Sequence, residues 1–334
     1  MFPFQEMLWP IVILGGLGLI FGLGLAFASK KFAVARDPKI DQVRELLPGA
    51  NCGGCGYPGC DGCASAIAQG EAGVSACPVG GAALAGKIAE VMGVQAETGE
   101  RRVAYVQCQG GENCHDKMRY QGLPSCAAAM LAAGGPKACS FGCMGLGDCV
   151  KTCPFGAITI NQSGVAQVDP DKCQSCGKCL GACPKRIIRM VPESRQALIS
   201  CRSLQRGKLV KVNCENGCIG CGLCARACKF GAITMQDNLP VTDYSKCVNC
   251  QKCVEVCPTH AMHGDLSRRK LARIDAEKCV GCTLCAKKCP FEAIDGELKR
   301  PHVVDADKCA GCGVCAATCR KEAITLVDRK RGEA

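Results

Sequence analysis

Six groups of closely spaced cysteines lie between Cys139 and Cys319 of this 334-residue chain, and no other feature restricts its fold as strongly. The cleanest group reads C-x2-C-x2-C-x3-C-P and runs from Cys279 to Pro290. Four further groups keep the same cysteine spacing, whereas the first group, which begins at Cys139, is altered. Three cysteines this close together can converge on one inorganic centre, and their recurrence indicates a duplicated structural unit.

The spacing also decides among the usual roles of cysteine-rich sequences. The chain contains 34 cysteines. Disulfide partners need particular Cα separations, which tight triplets do not provide, and zinc ribbons use paired C-x2-C knuckles rather than triplets followed by Cys-Pro. Iron–sulfur clusters of the [4Fe–4S] type fit the spacing best, and they indicate a reducing compartment.

The net charge does not indicate a nucleic-acid partner. The formal charge of +11 counts every cysteine as neutral. Each [4Fe–4S] cluster with its four thiolates contributes roughly −2, so a chain that carries seven clusters becomes slightly acidic. One Trp and four Tyr also leave few rings for stacking on bases. We therefore expect the basic side chains to balance the charge of the clusters.

An apolar segment near the N-terminus predicts a membrane anchor. Residues 8–29 carry no charge and are long enough to cross a bilayer. A cleaved signal peptide is the alternative, but the positive charges follow the segment, at residues 30–36, instead of preceding it. The positive-inside rule then predicts a single-pass protein of the cell inner membrane, with the N-terminus outside and the cysteine-rich body in the cytoplasm. Gly18, Gly22 and Ala26 have the spacing that lets a partner transmembrane helix approach closely.

A different cysteine motif follows the anchor and predicts a small, mainly α domain with one cluster. Cys63 is an additional cysteine that either replaces Cys60 or is a buried thiol. The literal G-x-G-x-x-G match at residues 54–59 is not a dinucleotide loop, because no strand precedes it, Cys55 fills one variable position and Pro58 interrupts the helix start. The predicted ligands, spaced C-x2-C-x4-C-x16-C, are Cys52, Cys55, Cys60 and Cys77.

Each of the six later groups predicts a strand, a cluster loop, a short helix and a second strand, which is half of a two-cluster ferredoxin. Proline after the fourth cysteine ends the short helix. Consecutive halves combine into three tandem α+β ferredoxin-like domains. The predicted segments are the membrane anchor at 1–31, the N-terminal [4Fe–4S] domain at 32–98, a cysteine-containing connector at 99–137, ferredoxin-like pair 1 at 138–195, an upstream segment with pair 2 at 196–268, and pair 3 with a tail at 269–334.

The ligand sets follow from the ferredoxin pattern, in which the fourth cysteine of each group binds the cluster of the other group. In the altered first group Leu146 occupies a ligand position, and we expect the upstream Cys139 to replace the missing cysteine. The predicted sets are Cys139, Cys143, Cys149 with Cys183; Cys173, Cys176, Cys179 with Cys153; Cys218, Cys221, Cys224 with Cys257; Cys247, Cys250, Cys253 with Cys228; Cys279, Cys282, Cys285 with Cys319; and Cys309, Cys312, Cys315 with Cys289.

Six cysteines, including Cys63, remain outside these seven clusters, and two alternatives stay open for the other five. They are either inert buried thiols or the source of an eighth cluster. Cys108 occupies a position parallel to Cys201. Cys214 in turn parallels Cys139, so pairs 1 and 2 look duplicated together with their upstream segments. The candidate ligands of an eighth cluster are Cys108, Cys114, Cys126 and one of Cys201 or Cys214.

Two groups lack the proline and carry a cation in its place, at Lys229 and Arg320. A positive charge beside a ligand favours the reduced, more negative cluster. We expect the clusters bound by Cys228 and Cys319 to have higher potentials than their neighbours, unless these cations are fully solvated.

The anchor, the motif from Asn51 to Cys60 and the ferredoxin repeats together resemble the B component of the Rnf complexes, which are membrane ferredoxin:NAD+ oxidoreductases that translocate Na+ or H+. The resemblance covers nearly the whole chain. It implies an electron-transfer subunit that accepts electrons from soluble reduced ferredoxin and relays them to other membrane and flavoprotein subunits. Simpler members have one ferredoxin pair, whereas this chain has three, as in the extended clostridial type.

Other classes of protein share the repeats. The chain could serve a hydrogenase or the reducing system of a redox regulator, or its clusters could be purely structural; the anchor with the N-terminal motif favours the Rnf type. The sequence has no flavin or nicotinamide fingerprint, so we expect no catalytic residues and no complete active site in this chain alone. The four histidines are scattered and do not predict a catalytic or Rieske site: His115, His260, His263 and His302.

Overall fold

One long helix begins the described part of the chain. The computed structural model describes residues 4–31, 37–96 and 99–329, with side chains from residue 12 onward. Helix α1 spans Phe4–Lys31, and its segment Val12–Lys31 is long and apolar enough to cross a membrane. The large apolar side chains of this segment are exposed. Because no described part of the chain covers them, this surface suits the interior of a bilayer.

Three helices form the N-terminal domain: α2 (Pro38–Leu46), α3 (Gly59–Ala68) and α4 (Gly81–Met92). The carboxylate of Asp37 caps α2 by accepting the Lys39 N–H at 2.9 Å. The buried core of the domain joins the three helices through Val43, Ile67 and Ile88. Its cysteines lie on the loop before α3, on α3 itself and on the loop before α4.

The rest of the chain repeats one arrangement three times: an outer antiparallel strand pair, an inner antiparallel pair, and a short helix after each cluster loop. In unit 1 (residues 102–192) the outer pair joins Val106 to Ile188, and the inner pair joins Ile158 to Val168. Its elements are β1 (Arg102–Val106), α5 (Cys126–Leu131), α6 (Asp148–Thr152), β2 (Ile158–Ile160), β3 (Ala166–Val168), α7 (Lys178–Ala182) and β4 (Ile188–Pro192), with a 3₁₀ turn at Gly111–Asn113.

Units 2 and 3 have the same strand pairing. Unit 2 (198–263) pairs β5 with β8 and β6 with β7, and unit 3 (270–328) pairs β9 with β12 and β10 with β11. Their elements are β5 (Leu198–Ile199), α8 (Gly207–Asn213), α9 (Leu223–Ala227), β6 (Ile233–Gln236), β7 (Leu239–Thr242), α10 (Lys252–Glu255), β8 (Met262–His263), β9 (Lys270–Ile274), α11 (Leu284–Lys288), β10 (Ile294–Asp295), β11 (Val303–Val304), α12 (Val314–Thr318) and β12 (Ile324–Asp328), with a 3₁₀ turn at Leu266–Arg268.

The segment at 99–137 is more than a connector. Its strand β1 pairs with β4, so unit 1 begins near residue 102 and not at the expected boundary of 138. The sequence did not predict this strand pairing, because a long stretch that includes α5 lies between β1 and the first cluster loop. Units 1 and 2 therefore both begin with a strand that lies well upstream of their first cysteine triplet.

A repeated turn begins four of the six cluster loops. In the loop that precedes α12, the Asp305 carbonyl accepts the Cys309 N–H at 3.0 Å, and the Asp305 carboxylate accepts the Asp307 N–H at 2.9 Å. The same bond from a cysteine N–H to an aspartate carbonyl is made by Asp169, Asp243 and Asp275. The turn aims the first cysteine of each loop inward.

Candidate iron–sulfur centres

The crossed arrangement of cysteines is visible where the loops enclose a cavity. In unit 2, Cys257 reaches a cavity that is also lined by the triplet of the other half. In unit 3, Cys289 lines a cavity with the triplet that begins at Cys309. In both units the fourth cysteine comes from the opposite half, because the short helix that carries it packs against its counterpart.

Proximity relates the remaining crossed cysteines to the other half of each unit. Cys153 lies near Cys176, and Cys228 lies near Cys250. Cys285 interacts with Cys279 and Cys282 of its own triplet. Cys319 packs against the buried core of unit 3, which contains Cys285.

A cysteine that the sequence did not assign to the altered first group lies beside it. Cys126 lines one cavity together with Cys143, Cys149 and Cys183. Cys139, the expected fourth member, does not line this cavity. The charges of Cys126 and Cys183 both act on Cys149, which agrees with their shared position.

The position of helix α5 explains why Cys126, and not Cys139, lines this cavity. The Asp148 carboxylate, at the start of α6, accepts the Ala127 N–H at 2.9 Å and the Ser125 hydroxyl at 3.0 Å. These bonds hold the first turn of α5 against α6, and Cys126 is the first residue of α5. The sequence signal was the serine N-cap before an Ala-rich run, which predicts a helix start but not the helix against which it packs.

Cys139 lies instead in a cavity between units 1 and 2. Four further cysteines line it: Cys108, Cys114, Cys201 and Cys214. Sequence reasoning grouped Cys126 with these residues, and the structure separates it from them.

The N-terminal motif forms a compact group on α3 and its flanking loops. The Asn51 side-chain oxygen accepts the Cys60 N–H at 2.8 Å and so begins α3 at the third cysteine. Cys77 interacts with Cys55 and Cys52 across the domain. Cys63, one turn after Cys60, is 1% exposed and lies against Cys55. Burial, followed by the contact with Cys55, raises the pKa of the Cys63 thiol to about 12.

The chemistry of the cysteine sets fits iron–sulfur clusters. Within residues 4–31, 37–96 and 99–329, no three Cys, His, Asp or Glu side chains converge closely enough to hold one metal ion; the cysteines surround cavities instead. Burial, together with the neighbouring cysteines, raises the pKa of Cys253 and Cys218 to about 12. A cationic metal centre offsets this cost and favours the thiolate.

Backbone N–H groups point at the fourth-position sulfurs of units 2 and 3. The Ala293 N–H donates to Cys289 at 3.3 Å, and the Met262 N–H donates to Cys257 at 3.4 Å. Such bonds stabilise a thiolate and tune the potential of a cluster that it binds.

Neighbouring centres are in contact along the chain. A Cβ on Gly54 would lie 2.7 Å from the carbonyl oxygen of Cys176, so the N-terminal motif lies directly on a cluster loop of unit 1. Between units 2 and 3, the charge of Cys312 acts on Cys250, and the rings of Phe230 and Phe291 are 6.3 Å apart.

Known proteins share these features over most of the chain. Residues 47–79 match the FeS family of Fe-S cluster segments. Two families of 4Fe-4S dicluster domains match, one at 272–326 and the other at 138–187, 217–261 and 246–293. The chain is 48% identical over 267 residues, 80% of either protein, to the B component of the Na(+)-translocating ferredoxin:NAD(+) oxidoreductase complex of Acetobacterium woodii.

The chain belongs to the family of Rnf B components. It is 42% identical over 253 residues to the B component of the ion-translocating oxidoreductase complex of Methanosarcina acetivorans, covering 75% of this chain and 96% of the relative. It is 41% identical over 263 residues to the B component of the proton-translocating ferredoxin:NAD(+) oxidoreductase complex of Clostridium ljungdahlii, covering 77% of this chain and 92% of the relative. The expected resemblance is thus confirmed, as are the [4Fe–4S] domains and the apolar N-terminal helix of this Rnf B component.

Proposed function

We propose that this chain is the electron-transfer subunit of a membrane-bound Rnf-type complex. It accepts electrons from reduced soluble ferredoxin and passes them to membrane and flavoprotein partners, in a complex that couples NAD+ reduction to Na+ or H+ translocation. The observation that carries the proposal is the row of cysteine-lined centres that runs from the N-terminal domain to unit 3, in a member of this family.

The chain's cysteines hold seven clusters in this proposal. Bound [4Fe–4S] clusters supply one-electron carriers, and the protein controls them through burial, hydrogen bonds to sulfur and spacing. The ligand sets are those expected from the crossed pattern, with Cys126 replacing Cys139 beside Cys143, Cys149 and Cys183. Cys52, Cys55, Cys60 and Cys77 hold the N-terminal cluster, and Cys63 is a buried neighbour.

Helix α1 anchors this row to the membrane. Its exposed apolar surface supports a single membrane span, and Lys30 and Lys31 at its end favour a cytoplasmic position for everything that follows. Gly18 and Gly22 have open space around them, which leaves room for a partner helix.

Reduction by ferredoxin tests the function. The full chain in detergent, kept free of oxygen, is mixed with reduced ferredoxin, and its EPR spectrum is recorded; reduced ferredoxin alone and the chain with oxidised ferredoxin are the controls. We expect the first mixture to show signals of reduced clusters that neither control shows. If dithionite reduces the clusters but ferredoxin does not, another donor serves the chain. If neither reduces them, the clusters are structural.

The order of the centres suggests the direction of transfer. The N-terminal motif follows α1 in the chain, and its contact with unit 1 at Gly54 and Cys176 places it at one end of the row of centres. We propose that the ferredoxin-like units receive electrons and that the N-terminal cluster delivers them. Replacing Cys52 and Cys55 with Ala should then stop transfer to membrane partners while the units still become reduced. Units that stay oxidised in this variant would mean the opposite order.

A further inference from the structure

The cavity between units 1 and 2 collects the cysteines that neither the ferredoxin pattern nor the N-terminal motif uses. Backbone bonds from both units enclose it: Cys114 forms an antiparallel bridge with Cys214, and the His115 N–H donates to the Asn213 carbonyl at 3.0 Å. The dicluster-domain matches begin at residues 138 and 217, so they include Cys139 but leave out the other cysteines of this cavity, which are Cys108, Cys114, Cys201 and Cys214.

Sulfur atoms from both units converge in this cavity. A Cβ on Gly110 would lie 3.3 Å from the sulfur of Cys214 and 3.7 Å from the sulfur of Cys108. The charge of Cys201 acts on both Cys108 and Cys139. Two cysteines of unit 1 and two of unit 2 thus surround the same space.

These four cysteines occupy equivalent positions in the two units. Val106 ends β1 and Ile199 ends β5, and Cys108 and Cys201 each lie two residues beyond. Cys139 and Cys214 each begin the sequence C-x2-G-C. The duplication therefore supplies one cysteine after the first strand and one before the first cluster loop in each unit.

The four sulfurs also share one hydrogen-bond pattern. The N–H of Gly110 donates to Cys108 at 3.5 Å, and the N–H of Ser203 donates to Cys201 at 3.5 Å. Cys139 and Cys214 likewise accept an N–H from the residue two positions later. The same turn is made by cysteines of the ferredoxin loops, which are Cys143, Cys176, Cys218, Cys250 and Cys312.

Cys114 differs from the other four. Its thiol points at the His115 carbonyl at 3.9 Å, and its sulfur lies within hydrogen-bonding reach of both Cys139 and Cys214. Ligands of different irons in one cluster are held apart by the cluster, so a sulfur that touches two neighbours is poorly placed as a ligand. Cys114 also has no counterpart in the upstream segment of unit 2.

We propose that Cys108, Cys139, Cys201 and Cys214 bind an eighth [4Fe–4S] cluster, shared by units 1 and 2. Its site lies between two others: the Cys143 N–H donates to the sulfur of Cys108 at 3.4 Å, and the charge of Cys201 acts on Cys218. With this site, 32 of the 34 cysteines are ligands, and Cys63 and Cys114 are the two that remain. The site depends on the cysteine geometry alone and not on ferredoxin as the electron donor.

Iron and acid-labile sulfide counting of the full chain, purified in detergent without oxygen, tests the site. Eight clusters give about 32 irons per chain, and seven give about 28. Cys108→Ala and Cys201→Ala should each lose about four irons and the same EPR signal. The matched control, Cys114→Ala, should keep the full count, because it removes a thiol from the same cavity without removing a ligand.

A wild-type count near 28 would overturn the proposal, and this count needs no variant to fold. Loss of about four irons in Cys114→Ala, with full retention in Cys108→Ala or Cys201→Ala, would overturn the ligand assignment. Loss of different EPR signals in Cys108→Ala and Cys201→Ala would show that the two units do not share a cluster. A failure of ferredoxin to reduce the chain would leave the count unchanged, so the two proposals fail separately.

Discussion

Unit 3 and the pair formed by units 1 and 2 use the same strand pairing but differ just after the first strand. In unit 3, Ile274 ends β9 and Ala276 follows two residues later, where units 1 and 2 have cysteine. All eight cysteines of unit 3 belong to its two predicted ferredoxin sets, whereas units 1 and 2 each contribute further cysteines to a cavity between them. The residue two positions after the first strand thus distinguishes unit 3, which shares no cavity cysteines, from units 1 and 2. We call the cysteine-lined cavity between units 1 and 2 the joint.

Removal of all iron should have the largest effect and should act on both regions. Cysteines make up much of each small core, as Cys285, Cys309 and Cys315 do in unit 3. Without metal these buried thiols have no partner for their charge and no filling for their cavities. We expect a chelator with an oxidant to abolish the protection of β9 and β12 against hydrogen exchange, together with that of β1 and β4.

The N-terminal domain is the internal control for this experiment. Its three helices share an apolar core around Val43, Ile67 and Ile88, so α2 and α4 should retain part of their protection. If unit 3 kept its protection without iron, its fold would not depend on the clusters, and the contrast between the self-contained unit and the joint would lose its physical basis.

The next largest effect should come from replacing Cys126, which lines a cavity of unit 1 and not the cavity between units 1 and 2. Cys126→Ala should lose about four irons, and so should Cys183→Ala, because both side chains line one cavity. The double variant should also lose about four irons, since the same cluster is lost. A loss of about eight in the double variant would place the two cysteines in different clusters.

The distance along the chain explains which parts of the site the sequence could predict. Triplets such as that from Cys279 to Cys285 converge within a few residues, so their spacing alone indicates a centre. The crossed fourth cysteine follows from the known ferredoxin pattern. Cys126 and Cys139 each lie near the altered first group, and only the packing of α5 against α6, fixed by Asp148, decides which one reaches the cavity.

In the fold, too, local patterns were predictable and contacts between distant segments were not. The half-units and the anchor were predictable from periodic cysteines and an uncharged apolar run. Strand β1 was missed because its partner β4 lies far along the chain, and the intervening residues carry no turn signal that links the two. Contacts between the N-terminal loop and unit 1, at Gly54 and Cys176, likewise leave no trace in local sequence.

The contact between Gly54 and Cys176 connects the N-terminal domain to unit 1 without a shared ligand. Disturbing it should have a moderate effect on the magnetic interaction between the clusters of the two domains. In Gly54→Ala the new Cβ would meet the Cys176 carbonyl oxygen at 2.7 Å and its Cα at 2.9 Å. Overpacking of this kind costs about 1–3 kcal/mol, so the N-terminal domain should shift away from unit 1. We expect full iron content but weaker magnetic interaction between the two reduced clusters in EPR spectra.

Gly86→Ala is the matched control, because it lies on α4 with no other atom within 4 Å of the new Cβ. It should leave both the iron content and the magnetic interaction unchanged. Equal spectra for Gly54→Ala and Gly86→Ala would contradict the close approach of the two domains.

The smallest effect should come from the cations that replace proline after Cys228 and Cys319. Both Lys229 and Arg320 are exposed, so water screens their charges from the clusters. An exposed charge contributes at most about 1 kcal/mol, which corresponds to less than about 60 mV for a one-electron couple. Lys229→Gln and Arg320→Gln remove only the charge and should lower the potential of one cluster each by no more than this amount.

Proline variants separate the charge from the backbone. Lys229→Pro and Arg320→Pro remove the charge and also restrict the turn after the ligand, which is a change that the glutamine variants do not make. If the charge sets the potential, redox titration should give the same downward shift for Gln and Pro. A shift with Pro alone would assign the effect to the turn, and no shift in any variant would mean that solvent screens these cations completely. Because Arg320 lies in self-contained unit 3 and Lys229 in unit 2, which borders the joint, unequal shifts at the two positions would measure how far the joint changes the surroundings of a cluster that it does not itself bind.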